Sequence, residues 1–561
     1  MTLILLPLAL ALPAQVGDAA PGPTAPLVPA RSTTLEVTAA GAFERRTYGE
    51  VVLDVSTSQA LTTSGTLWTH TDGGSAWIAS AVSIGDLGGQ VVAEYDLNNE
   101  AAELFSCYDS DPPTPVWTDG TPLGTEFRMV DSASETATHV AIHQEVIGGD
   151  PATRQAVLRV YDSDAAVPNW TYTFSPIINA ASKCAISRDG QTIVAAIMNS
   201  NTMSVEIGVW GPGSATPLSY TVLPAGSSNS LRGWDLSADG STLYFSQGTT
   251  ATIFDVATTT VTFSTSIGAS FDSHAISGDG SVFAFGNFNL IRVWEKSGGT
   301  YNNTITQVLG GSTYCSRIDI SDDGSTVVYA WYFYSPGLTV QVDALDVATN
   351  TVTMSETVTG TGTFQNTVGD VSCSADGSRF AVGLWGDEGN VAEEVRVYSS
   401  TQNTPLVTAN LPGSVFDIDI SADGQRVVAG SKAVHANTFG SGGRVDLVDV
   451  GGEDFILRGT PSIGNTVDFE VHGTPGVPAL LLSAPQPEVP PKVFPGIGTL
   501  YVKRSLLTIS SLGTVPGGGV LTAPLSIANI PGLIGTSDYV QVLFLSPRLL
   551  STDWMKITYL P

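Results

Sequence analysis

Three residue patterns in this chain have types and spacings that could do chemistry. The phrase D-x-S-x-D-G begins at Asp235, Asp319 and Asp419, and its acidic spacing matches the start of an EF-hand calcium loop. Such a loop needs a bidentate Glu at its twelfth position, where this chain holds Ser246, Ala330 and Gly430. Calcium binding in that mode is excluded, and the Asp-Gly pair reads as a turn whose first Asp lies on a strand. The pairs Asp109/Asp111 and Asp162/Asp164 follow Tyr in one Y-D-S-D phrase. Paired carboxylates serve glycoside hydrolysis or hold a hard cation, yet both pairs precede Pro- or Ala-rich loops, where solvated turn residues belong. His139 and His143, with Glu145 nearby, have H-x-x-x-H spacing, but Val140 stands where a zincin has Glu. The segment reads as a strand, which separates the two imidazoles by about 13 Å along one face. His70, His274, His435 and His472 are isolated.

Other catalytic signatures are missing as well. There is no G-x-S-x-G elbow, no P-loop and no G-x-G-x-x-G ahead of a helical pattern. Cys107, Cys184, Cys315 and Cys373 show neither CxxC nor Cys/His spacing, so zinc is not expected; Cys184 and Cys373 read as small strand residues, and no disulfide pairing can be assigned. Trp331, Phe333, Tyr334 and Trp385 lie in or just after strands and read as packing between repeat units. No catalytic, cofactor-binding or metal-ligating residue is assigned, no cofactor is expected, and binding residues are undetermined.

The elements that would position any site come from a repeat. AISRDGQTIVAA at Ala185, DLSADGSTLYFS at Asp235, AISGDGSVFAFG at Ala275, DISDDGSTVVYA at Asp319, VSCSADGSRFAV at Val371 and DISADGQRVVAG at Asp419 place Asp-Gly pairs at intervals of 50, 40, 44, 53 and 47 residues. That is the period of a β-propeller blade. Asp-Gly gives a tight hairpin turn, with the Asp carboxylate able to accept a backbone N–H two residues on. The apolar block that follows suits a strand covered on both faces. A second marker, an apolar strand ending in an aromatic or Leu/Val and often followed by Asp, recurs from Tyr108 to Val448, and degenerate copies of the first phrase start at Ser83 and Asp131. Eight units follow from about residue 81 to 450. VVLDVS at Val51 and TLWTHT at Thr66 read as N-terminal strands that complete the blade begun by the last repeat.

S-x-D-G followed by an apolar strand resembles the WD40-like repeat of bacterial propellers, including the periplasmic Tol-system family, over roughly residues 80 to 450. The resemblance implies an all-β fold, a β-propeller with eight blades favoured and seven possible. Eukaryotic WD40 repeats differ, because here the Gly-His pair is missing and no Trp-Asp dipeptide ends a strand.

Composition bounds the partners. The chain has 561 residues, 14% of them charged, with a formal net charge of −30. An acidic chain without a basic footprint is a poor ligand for nucleic acid or anionic membranes. The apolar stretch Leu3 to Leu12, followed by small residues, fits a signal-peptide core over residues 1–20 better than a membrane span, although it lacks the usual Lys or Arg. A Pro/Ala-rich linker (21–34), the propeller (35–455) and a β-sandwich-like module (456–561) with a Pro-rich connection near 485–496 are expected to follow. The string SIANIPGLIGTSDYVQVLFL resembles a tail module at the C-terminus of exported bacterial proteins.

These readings describe an extracytoplasmic, monomeric, non-catalytic propeller that binds a protein or glycan partner, with no transmembrane span in the mature chain. The alternative is a propeller enzyme, a glycan lyase, hydrolase or quinoprotein, with acidic residues converging on a central channel. Three or more carboxylates or imidazoles in the channel would favour the enzyme. The long loops Ile147 to Arg154, Phe333 to Leu338, Gly386 to Val391 and Ala433 to Gly443 are the segments expected to carry a binding function.

Overall fold

The S-x-D-G phrase makes the same local structure six times. Gly190, Gly240, Gly280, Gly324, Gly377 and Gly424 have φ of 67–70°, which a residue with a Cβ adopts only under strain. The carboxylate of each preceding Asp accepts the N–H two residues on, from Gln191, Ser241, Ser281, Ser325, Ser378 and Gln425, at 2.8–3.0 Å. The Ser is as necessary as the Gly. Ser277, fully buried, donates to Asp279 at 2.8 Å and accepts the N–H of Val282 at 2.9 Å, closing the turn from inside.

The computed structural model describes strands at 33–37 and 43–47 and residues 65–559, apart from 73–77, 86–88, 97–100, 108–112, 121–125, 133–137, 147–153, 163–165, 179–180, 225–229, 269–272, 336, 441, 451–454, 459–460, 474, 495–497, 518–519 and 546–549. The chain divides into two compact units, 1–58 and 59–561. In the first, Thr33–Val37 pairs antiparallel with Phe43–Thr47.

The second unit is all-β. Seven four-stranded antiparallel sheets follow one another in the chain: sheet 1 (residues 78–120), sheet 2 (126–178), sheet 3 (182–223), sheet 4 (231–266), sheet 5 (274–308), sheet 6 (313–359) and sheet 7 (368–409). Sheet 8 takes three strands from 415–449, and its fourth is Gly65–Thr71, paired antiparallel with Gly443–Asp449. TLWTHT therefore joins the last repeat, as its sequence suggests, whereas VVLDVS lies outside the described residues. The first strand of each sheet packs against the first strand of the next, and that of sheet 8 (Val415–Ile420) packs against that of sheet 1 (Ile78–Ile84).

Burial explains why the apolar residues come in blocks. Ile193–Asn199 and Ser204–Trp210, the middle strands of sheet 3, are buried at every position, while its fourth strand Ser219–Leu223 alternates between half-buried and exposed. Each consecutive pair of sheets encloses its own apolar cluster. Trp234 and Phe254 meet Val205 and Ile207 between sheets 3 and 4, and Trp68, Leu447 and Tyr95 meet between sheets 8 and 1.

Residues 455–558 build a three-stranded and a four-stranded sheet that share a core including Phe469, Val471, Leu481, Val542 and Phe544. Within the Pro-rich stretch, Pro487–Phe494 is itself a strand, paired with Gly498–Val502 in a two-stranded ribbon with one register break between Pro487 and Lys492. A proline fits such an edge, where its missing N–H breaks no central ladder. No helix among the described residues is long and apolar enough to cross a membrane.

Candidate functional site

The two ends of the eight sheets differ in chemistry. At one end lie the S-x-D-G turns, which join first strand to second. They are tied to one another by backbone hydrogen bonds, Arg188 N–H to Ala238 C=O at 2.9 Å, Asp239 to Gly278 at 3.1 Å, Asp279 to Asp322 at 3.2 Å, Asp322 to Ala375 at 2.9 Å and Ala375 to Ala422 at 2.9 Å. Each bond links one sheet to the next, from sheet 3 round to sheet 8.

Just inside this belt the first strands place one residue each at a common register, paired with the residue nine further along the chain. The series from sheet 1 to sheet 8 is Ser83, Asp131, Ala185, Asp235, Ala275, Asp319, Ser372, Asp419. Aspartate thus alternates with a small residue. Asp235 accepts the N–H of Ile276 in sheet 5 at 2.8 Å, Asp319 that of Cys373 in sheet 7 at 2.7 Å, and Asp419 that of Ile84 in sheet 1 at 2.9 Å. The reach across is open because Ala275, Ser372 and Ser83 put no bulk in the way, and Ser372 adds a donor to Asp419 at 2.9 Å.

A cavity of about 210 Å³ opens among these turns, lined by Asp235, Asp319, Asp322, Asp419 and Arg188. Arg188, from sheet 3, donates to Asp322, from sheet 6, so the only two charged residues at the x position of the six S-x-D-G turns close on each other. Four carboxylates converge here, which is the arrangement expected of the enzyme reading, and each has a partner within the protein. Asp235, Asp319 and Asp419 are occupied by backbone N–H groups of the neighbouring sheet and Asp322 by a guanidinium. Burial first, and then the charge of Asp235, push the Asp319 carboxyl well above the usual range, against the pull of the Cys373 and Ile320 N–H groups.

One layer further in, Asp417 accepts the N–H of Val82 at 2.7 Å and is hydrogen-bonded to Asp370, which pairs on its other side with Arg317 at 3.2 Å. Burial and then the Asp370 charge drive the Asp417 carboxyl well above the carboxylate range. Carboxyls in direct contact are too close to flank a glycosidic bond, which needs a separation of about 5 Å or more. Among the described residues no group of three His, Cys, Asp or Glu is placed to hold a metal ion.

At the opposite end lie the loops between second and third strands, and the four long loops singled out in the sequence all join these strands. Ile147 to residue 153 lies outside the described residues, and the loops Gly386 to Val391 and Ala433 to Gly443 are organised by buried polar groups. Asp387 accepts the N–H of Thr361 at 2.6 Å, of Val391 at 2.7 Å and of Ala392 at 3.2 Å. Burial works against its charge, yet these bonds hold its pKa below the ordinary value. Ser414 donates to the Trp385 carbonyl at 2.7 Å and accepts the Ala436 N–H at 2.8 Å. His435 lies against Phe364 at 4.8 Å, and its Nδ1 accepts the Asn437 N–H at 3.1 Å, which puts the proton of the neutral ring on Nε2. Burial lowers its pKa. It latches loops together.

Glu394, buried beneath Gly386, accepts the Leu411 N–H at 2.7 Å, and burial raises its pKa to about 8. An acid whose pKa is higher folded than unfolded adds stability that is complete below about pH 4.5 and is lost as pH rises through 8. Thermal melts are expected to show Tm falling from pH 5 to pH 8. Glu394→Gln, which keeps the acceptor and removes the ionisation, should flatten that fall by on the order of 2–4 kcal/mol. An unchanged slope would show that Glu394 ionises normally.

The same end carries exposed apolar side chains. Phe288 is 51% exposed, Tyr334 45%, Val391 66% and Phe439 85%. Packing between units, expected for the four aromatics named from sequence, holds for Trp331, which is buried in the cluster between sheets 5 and 6, and for Phe333 against it. Trp385 is half-buried against Phe416 at 5.9 Å. Tyr334 differs, because it follows the strand end and turns outward beside Tyr332. Phe288, Tyr314 and Tyr332, which join it, were not singled out from sequence. The alternation along Trp331, Tyr332, Phe333 and Tyr334 was a usable signal, since a strand cannot bury both sets of rings at its end.

The remaining candidates have structural partners or lie beyond view. His139 is buried on a strand and contacts Gln90 at 3.2 Å. His70 meets Glu103 at 3.2 Å, and His274 accepts the Trp234 N–H at 2.7 Å. Asp109, Asp111 and Asp164, and the side chains of His143 and Asp162, lie outside the described residues. Cys107, Cys184, Cys315 and Cys373 are free thiols, the first three buried and Cys373 half-buried. Compared with known proteins, the chain matches no family model and no curated protein.

Proposed function

We propose that residues 65–450 form a closed, eight-bladed β-propeller of the WD40-like type, and that the protein is an extracytoplasmic, non-catalytic binding protein. Support for closure comes from the N-terminal strand paired into sheet 8 and from the apolar cluster shared by sheets 8 and 1. Support for export comes from the apolar stretch Leu3 to Leu12 and the small residues after it.

The observation that carries the binding reading is the contrast between the two ends. The carboxylates at the turn end are engaged by neighbouring backbone and Arg188 and its exposed apolar groups, Val167, Leu218 and Leu406, are aliphatic, whereas the loop end exposes the rings of Phe288, Tyr334 and Phe439 beside Val391. Exposed aromatic rings gathered at one end mark an interaction surface. The partner is a protein or a glycan held by the loop end.

The test is retention of partners by the full chain from solubilised cell envelope. Saturable retention is expected, weakened at least tenfold by the pair Val391→Ser and Phe439→Ser or by the pair Phe288→Ala and Tyr334→Ala, and unchanged by Arg188→Ala with Asp322→Ala. Retention that follows the turn-end pair, or turnover of an envelope glycan abolished by Asp417→Asn, would overturn the reading.

A further inference from the structure

We infer that the ring cluster Phe288, Tyr314, Tyr332 and Tyr334 is a platform for an uncharged carbohydrate. The inference rests on the loop end being the binding face, and it adds the chemical class of the ligand. Tyr314, on the first strand of sheet 6, is the cross-strand partner of Tyr332, with ring centroids 5.6 Å apart. Tyr334 lies 5.5 Å from Tyr332 and 6.1 Å from Tyr314. Phe288 reaches over from the turn of sheet 5 to within 6.2 Å of Tyr314. Two neighbouring sheets therefore contribute to one surface.

The surroundings select the ligand. Segments 282–291, 298–316, 326–342 and 357–369, which supply most of the loop ends of sheets 5 and 6, contain no Asp, Glu, Lys, Arg or His in a chain of net charge −30; the connection into sheet 5 carries Asp272, outside the described residues, and His274, which accepts the Trp234 N–H. They carry exposed Asn289, Ser312 and Ser335, and half-buried Gln365, beside the rings. At the border, Glu388 accepts the N–H and hydroxyl of Thr363 at 2.7 and 2.9 Å, and Asp387 is bound by Thr361. Among the described residues of these segments and their border, a basic peptide finds no carboxylate without a local partner, and an acidic polysaccharide finds no cation. A sugar has apolar C–H faces for the rings and hydroxyls for amide and hydroxyl groups, which both donate and accept. The rings meet at 55–83° to one another, giving separate faces to successive sugar units and not the aromatic-lined groove that takes a proline-rich helix.

The test is affinity gel electrophoresis of the full chain against three neutral polymers, a β-glucan, an α-glucan and a galactomannan, with a polyuronate and a proline-rich peptide as competitors. At least one neutral polymer is expected to retard the protein. Phe288→Ala and Tyr334→Ala should each weaken that retardation at least tenfold with unchanged melting curves, while Tyr334→Phe stays within threefold of the parent. The inference is overturned if no neutral polymer retards the protein, if both alanine variants bind as the parent does, or if the polyuronate or the peptide competes equally well. Envelope retention that survives Phe288→Ala with Tyr334→Ala but is lost with Val391→Ser and Phe439→Ser would remove this inference alone and leave the binding face standing.

Discussion

Removing residues 1–72 is expected to abolish cooperative unfolding and to leave a chain that self-associates. The strand Gly65–Thr71 covers the edge of Gly443–Asp449 along its whole length, and it buries Trp68 completely among Phe105, Tyr95 and Leu447. Thr69 also donates to Asp446 at 2.7 Å, the carboxylate that Arg444 grips with two nitrogens at 2.6 Å. Without the strand, a row of backbone N–H and C=O groups is left open to any other chain. Trp68→Ala alone should cost about 3–5 kcal/mol, a large share of the roughly 5–15 kcal/mol that a folded domain has in hand. Urea unfolding followed by circular dichroism, with size exclusion at two concentrations, checks both variants. A truncated chain with the parent's midpoint and a monomer's elution volume would show that sheet 8 stands without its N-terminal strand.

The second large effect separates two aspartates that lie two residues apart. Asp419→Ala is expected to destabilise by about 2–3 kcal/mol, because it strands the buried N–H of Ile84. Asp417→Asn is expected to be neutral or stabilising. Burial holds its carboxyl well above the carboxylate range, and an amide can still accept from Val82 without a charge to bury. Chemical denaturation at pH 7 distinguishes them, and equal losses from both substitutions would show that Asp417, like Asp419, is needed as a carboxylate. Unlike Asp417, the turn aspartates Asp279 and Asp323 are held below the ordinary carboxylate pKa: burial opposes their charge, but the hydrogen bonds from Ser277 and Ser281, and from Ser321 and Ser325, outweigh it. Their contribution is lost in acid, opposite in sign to that of Glu394.

How far the sequence reached depends on the range of the interactions. The six turns were legible down to the hydrogen bond, because Asp, Gly and Ser in that phrase act on atoms within five residues of themselves. The all-β repeat and the pairing of TLWTHT followed from spacing and from the need to cover an edge. The role of the leading aspartates was out of reach. Asp419 acts on Ile84, 335 residues away, and nothing in either phrase marks the other. Convergence of carboxylates was foreseen as a sign of catalysis, yet each side chain's use was set by which N–H group the next sheet offers. The aromatic platform was half legible. Tyr334 was named, but Phe288 belongs to another repeat, and only the stacking of sheets 5 and 6 brings the two within one surface.

The alternation of aspartate with Ser or Ala along the first strands has an arithmetic consequence. An array of sheets built this way is periodic in pairs of repeats, so its natural unit of growth is two. Duplicating or deleting one repeat would set two carboxylates side by side at one boundary, or leave an amide facing two small side chains at another. Gene variants that gain or lose a pair keep every boundary intact, so descendants of this chain should differ in repeat number by even steps, and an engineered version with seven or nine repeats would need one boundary rewritten by hand.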